Sequence, residues 1–292
     1  MSNDVVTLRT FNRRYTQRIG VLAERFLGQD RPPGAARVLF EIGPDEASVL
    51  ELRQRLDLDS GYLSRVLRGL EAEGLVTVRA DDGDARRRVA ALTARGRREW
   101  DELDRRSNDL AAEILDPLTE TQRRTLTDSL ATADRLLRAA TVNFDIVDPR
   151  SDAALFSMTQ YFDELDARFP SGFDPGDTLM ADAAGLRPPV GVFVVAVSEG
   201  RSVACGGVQA LGDGIGEIKR MWVDTTFRGL GVGRRMLSHL EGQARGLGHR
   251  LVRLDTNSEL VEAIAMYESA GYRPIERYND NPYALRFFEK AL

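Results

Sequence analysis

A glycine-rich run in the second half of the chain constrains the fold more than any other segment. The run Arg228–Gly233, with the letters RGLGVG, follows a strand-like segment, Glu217–Val223, and precedes an amphipathic stretch, Arg234–Leu247. A glycine turn between a strand and a helix leaves backbone N–H groups unpaired at the helix N-terminus, where they and the helix dipole favour phosphate. The sequence therefore predicts a pyrophosphate site at this turn.

The glycine spacing decides which kind of phosphate turn this is. A dinucleotide fold needs G-x-G-x-x-G, and a P-loop needs G-x-x-x-x-G-K-[ST]. Neither fits, because the third glycine comes too early and Gly233 is followed by Arg234. The run instead resembles the R-x-x-G-x-G/A turn of the GNAT acetyltransferase superfamily, through Arg228, Gly231 and Gly233. For the six residues alone, the alternative is a loop that merely turns the chain.

The neighbouring segments extend this resemblance from about residue 143 to residue 292. Leu260–Ala270 is predicted as a helix that ends at Gly271. The stretch Ala263–Tyr272, AIAMYESAGY, resembles the A-x-x-x-Y-x-x-x-G-[FY] motif of the same superfamily. Two motifs in the right order are more specific than either alone. The predicted strands are Asn143–Val147, Gly191–Ser198, Ser202–Leu211, Glu217–Asp224 and Arg250–Asp255.

The GNAT resemblance implies acetyl-CoA as co-substrate, an amine acceptor, and an α/β fold with a mixed, mostly antiparallel sheet flanked by helices. It implies that main-chain N–H groups of Met221, Trp222 and Val223 hold the thioester carbonyl and the pantetheine arm. Tyr267 matches the tyrosine that protonates the departing thiolate; the alternative is a buried core aromatic. The residues expected to wrap the pyrophosphate are Arg228, Gly229, Leu230, Gly231, Val232, Gly233 and Arg234.

Glu217 is the candidate base, acting directly or through water, because it begins the strand that leads to the glycine turn. A solvated strand end is its alternative interpretation. Asn257 departs from the family pattern, since the corresponding asparagine usually lies nearer the tyrosine, and its role stays open. Cys205 is interpreted as core packing, and the two histidines form no metal-ligand cluster, so no metal is expected.

The first half carries a helix-turn-helix pattern. Ala47–Leu56 and Ser60–Glu73 are predicted as helices, with Ser60 or Asp59 as N-cap of the second. That second helix has one apolar stripe, and its opposite face is small, hydroxylic and arginine-bearing, which suits entry into a major groove. An ordinary solvated helix face is the alternative. The residues expected on the DNA-reading face are Gly61, Tyr62, Ser64, Arg65 and Arg68.

Two predicted strands, Gly74–Arg79 and Arg88–Leu92, follow at once and enclose a charged hairpin tip that carries Arg86 and Arg87. A helix-turn-helix followed by a basic hairpin is a winged helix. The letters D-x-R at Asp84–Arg86 and L-T-x-x-G at Leu92–Gly96 resemble the MarR family of transcription regulators, over about residues 5–140. This resemblance implies a double-stranded DNA partner, contacted in part by Arg86 and Arg87.

Long amphipathic helices are predicted before and after this winged helix, at Val5–Phe26, Arg95–Ile114 and Thr121–Ala139. The domain is too small to cover both faces of such helices, so a second copy is expected to do so. MarR relatives dimerise through their terminal helices, and the resemblance implies a homodimer here. A two-fold dimer places its reading helices roughly 34–36 Å apart, so the operator should be nearly palindromic.

Length and charge support two domains, 1–142 and 143–292. Residues 1–142 carry 24 Arg, no Lys and 24 acidic residues, so the whole net charge of −5 belongs to residues 143–292. An acidic second half fits a small, cationic acceptor better than nucleic acid. The sequence has neither an apolar run of membrane-spanning length nor a signal-peptide pattern, so a cytoplasmic protein without membrane contact is expected.

Three functions remain open from the sequence. In the first, the chain is a bifunctional DNA-binding regulator and acetyl-CoA-dependent N-acetyltransferase that acts on a small molecule. In the second, the GNAT-like domain is a non-catalytic sensor of acetyl-CoA or an effector. In the third, the chain is only an enzyme, and its first domain serves dimerisation. The second function is disfavoured because the motif residues Arg228, Gly231, Gly233 and Tyr267 are all present. The third is disfavoured by the arginines on the predicted helix Ser60–Glu73 and on the hairpin that follows it, the wing.

Overall fold

The computed structural model describes residues 2–20, 31–81, 83, 87–176 and 183–292. The chain forms two compact units, Met1–Leu130 and Ala131–Leu292. The division lies inside a helix, Glu120–Ala140, and so before the boundary that the sequence places after residue 142. Within the described residues, every helix is too short or too polar to span a lipid bilayer.

The first unit is mainly helical around a small sheet. Its strands pair antiparallel in the order β1-β3-β2. The fully buried side chains of its core include Val38, Leu39, Leu52, Leu63 and Leu75, contributed by helices and by the start of the hairpin. The elements are α1 (Asn3–Arg18), α2 (Pro33–Ile42), β1 (Ala47–Ser48), α3 (Val49–Arg55), α4 (Ser60–Ala72), β2 (Val76–Ala80), β3 (Arg88–Leu92), α5 (Ala94–Leu115) and the start of α6 (Glu120–Ala140).

Local sequence explains most boundaries of this unit. Asp59 is the N-cap of α4, since its carboxylate accepts hydrogen bonds from the backbone N–H groups of Gly61 and Tyr62. The predicted helix Ala47–Leu56 begins two residues late, because Ala47 and Ser48 pair with β3 instead. Of the predicted helix Val5–Phe26, the part after residue 20 lies outside the described residues.

The second unit is a sheet with helices on both faces. Its seven strands lie in the order β4-β5-β6-β7-β8-β10-β9, and only the β7–β8 pair is parallel. The predicted mixed, mostly antiparallel sheet is therefore confirmed. The elements after α6 are β4 (Asn143–Val147), α7 (Asp152–Arg168), β5 (Gly191–Ser198), β6 (Arg201–Gly212), β7 (Ile215–Val223), a 3-10 turn (Thr225–Phe227), α8 (Val232–Gly246), β8 (Leu251–Thr256), α9 (Val261–Ser269), β9 (Arg273–Pro274) and β10 (Arg286–Ala291).

Two features of β7 open the sheet at one edge. The parallel pairing joins only Ile215–Glu217 of β7 to Leu251–Arg253 of β8, although both strands continue beyond it. A bulge then shifts the pairing of β7 with β6, and Arg220 within it has a positive φ of 56°. Because both parallel strands run towards the same edge, the unpaired ends leave a cleft between them.

Candidate functional site

The glycine turn lies at the start of α8. Gly231 is the N-cap of this helix, with φ 80° and no side chain to bond the first N–H groups. Gly229 also has a positive φ, 73°. Non-glycine residues rarely adopt this backbone conformation, so both positions favour glycine. The turn therefore presents the uncapped N-terminus of a helix, the arrangement that favours an anion.

The two arginines that flank the turn are fixed in place. Arg228 donates from Nε to the Val223 carbonyl oxygen over 2.9 Å, and its guanidinium also pairs with Glu164 of α7. Arg234 donates to the Ser269 hydroxyl at the end of α9 over 2.8 Å. These contacts hold both positive charges beside the helix N-terminus before any ligand arrives.

Gly233 has a different role from Gly231. A methyl group added at Gly233 would lie 3.2 Å from the Met266 sulfur and 3.5 Å from a Val223 methyl. Glycine therefore lets α8 pack closely against α9 and β7 here. At Gly231, by contrast, an added methyl meets open space, and backbone conformation is what restricts the position.

A cavity of about 450 Å³ opens at the turn. Of the residues predicted to bind the cofactor, all but two line it. Val232 is fully buried in the core and Leu230 packs against that core, so neither side chain faces the cavity. The predicted residues that line it are Met221, Trp222, Val223, Arg228, Gly229, Gly231, Gly233 and Arg234.

A second cavity, of about 660 Å³, adjoins the first. It lies along the cleft between the carboxyl ends of β7 and β8 and contains Glu217 in its wall. The two cavities share a wall, so a group bound in one lies next to a group bound in the other. The shared residues are Tyr161, Leu165, Met221, Leu260, Ala263 and Tyr267.

Tyr267 stands in this shared wall. Its side chain is almost completely buried, and its ring lies 5.9 Å from that of Tyr272 and 6.3 Å from that of Phe288. The hydroxyl donates to the Met221 sulfur over 4.0 Å. Burial raises the pKa of the phenol, so it keeps its proton at neutral pH. Both the packing and the acid interpretation of Tyr267 thus have structural support.

Glu217 is buried, 5% exposed, so its interpretation as a solvated strand end is wrong. One carboxylate oxygen accepts hydrogen bonds from the Tyr278 hydroxyl over 2.9 Å and from the Asn279 amide over 3.3 Å. The other accepts from the Gln209 amide over 2.7 Å and pairs with Lys219 over 3.3 Å. These contacts fix the orientation of the Glu217 carboxylate in the wall of the second cavity.

Asp255, which sequence reasoning missed, forms an acid pair with Glu217. The Asn279 amide bridges the two carboxylates, at 2.5 Å from Asp255, and the Asn281 amide donates to Asp255 over 3.3 Å. Burial raises the pKa of Asp255; the hydrogen bond from Asn279 opposes this, and the charge of Glu217 adds to it. A signal existed in the sequence, because Asp255 is the last residue of the predicted strand Arg250–Asp255, which pairs parallel to β7 and lies beside the cleft.

Asn257, whose role the sequence left open, lines the second cavity and makes two local hydrogen bonds. Its amide donates to the Tyr283 carbonyl oxygen over 2.8 Å, and its side-chain oxygen accepts from the Glu259 backbone over 3.0 Å. It therefore fixes the chain after β8 to the irregular segment 275–285, which returns along the second cavity. Cys205 is fully buried, in line with its interpretation as core packing.

The predicted DNA-reading face of α4 is exposed as a whole. Tyr62 lies against Gly34 of α2, and Arg68 donates from Nε to the Ser64 carbonyl oxygen over 3.3 Å. In the hairpin, Arg87 is exposed, whereas Arg86 lies outside the described residues. The exposed residues of the predicted set on α4 are Gly61, Tyr62, Ser64, Arg65 and Arg68.

Comparison with known proteins gives matches for both units. The model of the acetyltransferase (GNAT) family matches residues 158–272, and that of the MarR family matches residues 29–87. The chain is 33% identical over 140 residues to an IAA acetyltransferase of Azospirillum brasilense, which covers 47% of this chain and 91% of that protein.

Two solved structures align with part of the chain. A GNAT-family acetyltransferase of Staphylococcus aureus is 17% identical, with a TM-score of 0.46, over 52% of this chain and 99% of that one. A probable transcriptional regulator of Pseudomonas aeruginosa is 23% identical, with a TM-score of 0.37, over 45% of this chain and 97% of that one.

Proposed function

The chain belongs to the GNAT acetyltransferase family and carries a MarR-family domain ahead of the acetyltransferase domain, and from this we propose that it is a cytoplasmic, DNA-binding regulator that also acetylates a small-molecule amine. We place the two functions in residues 1–142 and 143–292. GNAT enzymes use acetyl-CoA, which we propose as the co-substrate, with no metal.

One observation carries the enzymatic proposal. The cavity at the glycine turn and the cavity with the acid pair share a wall, and Tyr267 is in that wall. On one side, the uncapped helix N-terminus with Arg228 and Arg234 fits a pyrophosphate. On the other side, Glu217 and Asp255 fit a protonated amine. A reaction between the two ligands would thus take place beside a phenol that holds its proton.

Acetyl-CoA supplies the thioester, whose C–S bond breaks as the amine nitrogen bonds to the acetyl carbon. We propose that the backbone of Met221–Val223, next to the β7 bulge, holds the thioester end of the cofactor. Trp222 and Val223 pair with β6 after the bulge, but the opposite edge of this part of β7 is not paired with β8. Backbone polar groups on that opposite edge are therefore available to a ligand.

The acceptor must lose a proton and the thiolate must gain one. Glu217 is the proposed base, and because both of its oxygens already accept hydrogen bonds, an intervening water is the favoured route. Tyr267 is the proposed acid, since its buried phenol is protonated and stands between the two cavities.

We propose that α4 enters the major groove and that the wing contacts the backbone of a nearly palindromic operator. The support is the exposed face with Arg65 and Arg68. A homodimer supplies the second half-site. On α1, a row of large apolar side chains is exposed, which suits an interface with a second copy. These side chains are Val5, Val6, Leu8, Phe11 and Tyr15.

Two measurements on the full-length chain test the proposal. The first follows thiol release from acetyl-CoA over a panel of amines, and we expect turnover with at least one class. Binding of acetyl-CoA by calorimetry without thiol release for any amine would favour the sensor. The second is a gel shift on the DNA upstream of the gene at fixed salt. Turnover without any DNA binding would leave an enzyme whose first domain only dimerises.

A further inference from the structure

The second cavity has an aromatic side as well as an acidic one. The Phe173 ring is at the centre of that side, with its centroid 5.6 Å from that of Phe162, 6.0 Å from that of Phe169 and 4.7 Å from that of Tyr283. All four rings line the cavity. Such a wall binds a flat apolar group, because ring contacts add to the free energy of apolar burial. We call these four residues the aromatic wall.

The charges that face the same cavity are negative overall. Among its described lining residues, Glu217, Asp255 and Asp174 are acidic, and Lys219 and Arg220 are basic. Lys219 pairs with Glu217, and the Arg220 guanidinium lies 5.0 Å from the Phe162 ring centroid. A ligand with one positive charge therefore compensates the pocket, whereas a ligand with a carboxylate adds to an existing excess of negative charge.

A short segment fixes the distance between the acids and the wall. Asn281 donates through its amide to Asp255 and accepts, through its side-chain oxygen, a hydrogen bond of 3.1 Å from the Tyr283 backbone. Two residues of extended chain span at most about 7 Å. Asn281 thus joins the backbone of Tyr283 to the carboxylate of Asp255, so the acid pair and the aromatic wall are connected through one hydrogen-bonded residue. A ligand that reaches both therefore needs only a short spacer between its charge and its ring.

We propose that the acetyl acceptor is an arylalkylamine, a primary amine with a single positive charge and an aromatic ring a few carbons from the nitrogen. This inference rests on the proposed acetyl transfer and names its substrate class. The acid pair holds the ammonium group, and the aromatic wall holds the ring. Transfer forms an amide bond at the nitrogen and breaks the thioester C–S bond. Two of the three ammonium protons leave the nitrogen by way of Glu217: one is released to solvent, and the other replaces the proton that Tyr267 gives to the thiolate.

Three probes separate the features of this class. 2-Phenylethylamine has both ring and charge, ethylamine lacks the ring, and phenylalanine adds a carboxylate. We expect calorimetry with the full-length chain to show 2-phenylethylamine binding at least tenfold more tightly than either of the others, with the same order in thiol release. Equal binding of ethylamine would overturn the role of the wall, and equal or tighter binding of phenylalanine would overturn the single-charge requirement. Absence of binding by 2-phenylethylamine would overturn the proposal.

Variants in the wall supply an independent test. Phe173→Leu removes the central ring and should lower affinity for 2-phenylethylamine about tenfold while leaving that for ethylamine unchanged. Tyr283→Leu, which removes a second ring, should act in the same direction. Tyr283→Phe is the matched control, since it keeps the ring and loses only the hydroxyl, which accepts from the Asp174 N–H over 3.1 Å and donates to the Asp174 carbonyl oxygen over 3.5 Å. A loss that is equal for both amines would contradict the assignment.

Failure of this inference is distinguishable from failure of the proposed function. Calorimetry with acetyl-CoA measures the first cavity alone. If acetyl-CoA does not bind, the acetyltransferase proposal fails, whatever the amines do. If acetyl-CoA binds and 2-phenylethylamine does not, only the acceptor class is wrong.

Discussion

The glycine turn and the exposed face of α4 present their binding groups in opposite ways. At the turn, the groups that face a ligand are backbone N–H groups at a helix N-terminus, and Gly231 contributes by having no side chain. On α4, the backbone polar groups are hydrogen-bonded within the helix. The groups that face solvent are the side chains of Arg65, Arg68 and their neighbours. A backbone site is destroyed by adding atoms, whereas a side-chain site is destroyed by removing them.

The largest effect is expected from adding a charged side chain at the turn. Gly231→Glu places a carboxylate beside the helix N-terminus where a pyrophosphate would bind, so we expect no measurable acetyl-CoA binding by calorimetry. Gly231→Ala is the control: it carries the same backbone strain, about 1–2 kcal/mol, without the charge, and should bind more weakly than the parent but measurably. A folded Gly231→Glu chain with parental affinity would place the cofactor elsewhere.

The next largest effect is expected from removing atoms in the wall that the two cavities share, which tests whether a side chain there is needed for function. Tyr267→Phe removes one hydroxyl and keeps the ring, so loss of the proposed acid should lower kcat by about 10²–10⁴ with acetyl-CoA affinity nearly unchanged. Steady-state kinetics with an accepted amine measures this. Tyr272→Phe, in the ring next to Tyr267 but outside both cavities, should keep the parental rate. Full turnover in Tyr267→Phe would leave only a packing role.

A smaller loss is expected from truncation on α4. Arg65→Ala should weaken operator binding by about 1–3 kcal/mol, or roughly 5- to 150-fold, and relax preference at one base pair if the guanidinium reads guanine. Gel shifts at one salt concentration, with operators altered one position at a time, measure both quantities. Arg37→Ala serves as control because Arg37 is occupied in an ion pair with Glu41 on α2. Unchanged affinity and preference in Arg65→Ala would remove α4 from DNA reading.

The smallest effect concerns the acid pair, a third kind of site in which charged side chains are buried. Since burial raises the pKa of Asp255 above its ordinary 3.8, the folded state holds that proton more tightly than the unfolded chain does. The stability from this group is fully present below about pH 4 and is lost as the pH rises through the raised folded pKa.

Asp255→Asn removes this titration. We expect the unfolding free energy of the parent, relative to that of the variant, to fall as the pH is raised from about 4 to neutrality. Urea unfolding at several pH values measures the difference. Asp163→Asn, on an exposed position of α7, is the control. A difference that rises with pH would mean that hydrogen bonds from Asn279 and Asn281 outweigh burial.

The sequence predicted the elements whose pattern is local. The strands before the glycine turn, the apolar stripe of α4 and its Asp59 cap depend on residue periodicity and capping, and all were found. Ala47 and Ser48 were wrongly placed in a helix, because their conformation comes from pairing with β3, a contact distant in sequence. The turn motif likewise placed most of its residues in one cavity.

The second cavity could not be predicted in the same way. Its polar residues Tyr278, Asn279 and Asn281 come from a segment without regular periodicity, and only tertiary packing brings them to Glu217 and Asp255. Helix α7 was also missed, although its residues supply Tyr161 and Glu164 to the cavities and an ion-pair partner for Arg228. The role of a single residue outside any motif can be assigned only when its neighbours in the folded structure are known.

The shared wall has a consequence for how such an enzyme can evolve. A substitution at Met221 or Tyr267 alters both cavities at once, so a change that suits a new ligand in the second cavity also changes the first. Phe173 and Tyr283 line the second cavity and not the first. Selection for a new ligand in the second cavity can therefore proceed through these rings, one mutation at a time, while the first cavity stays as it is.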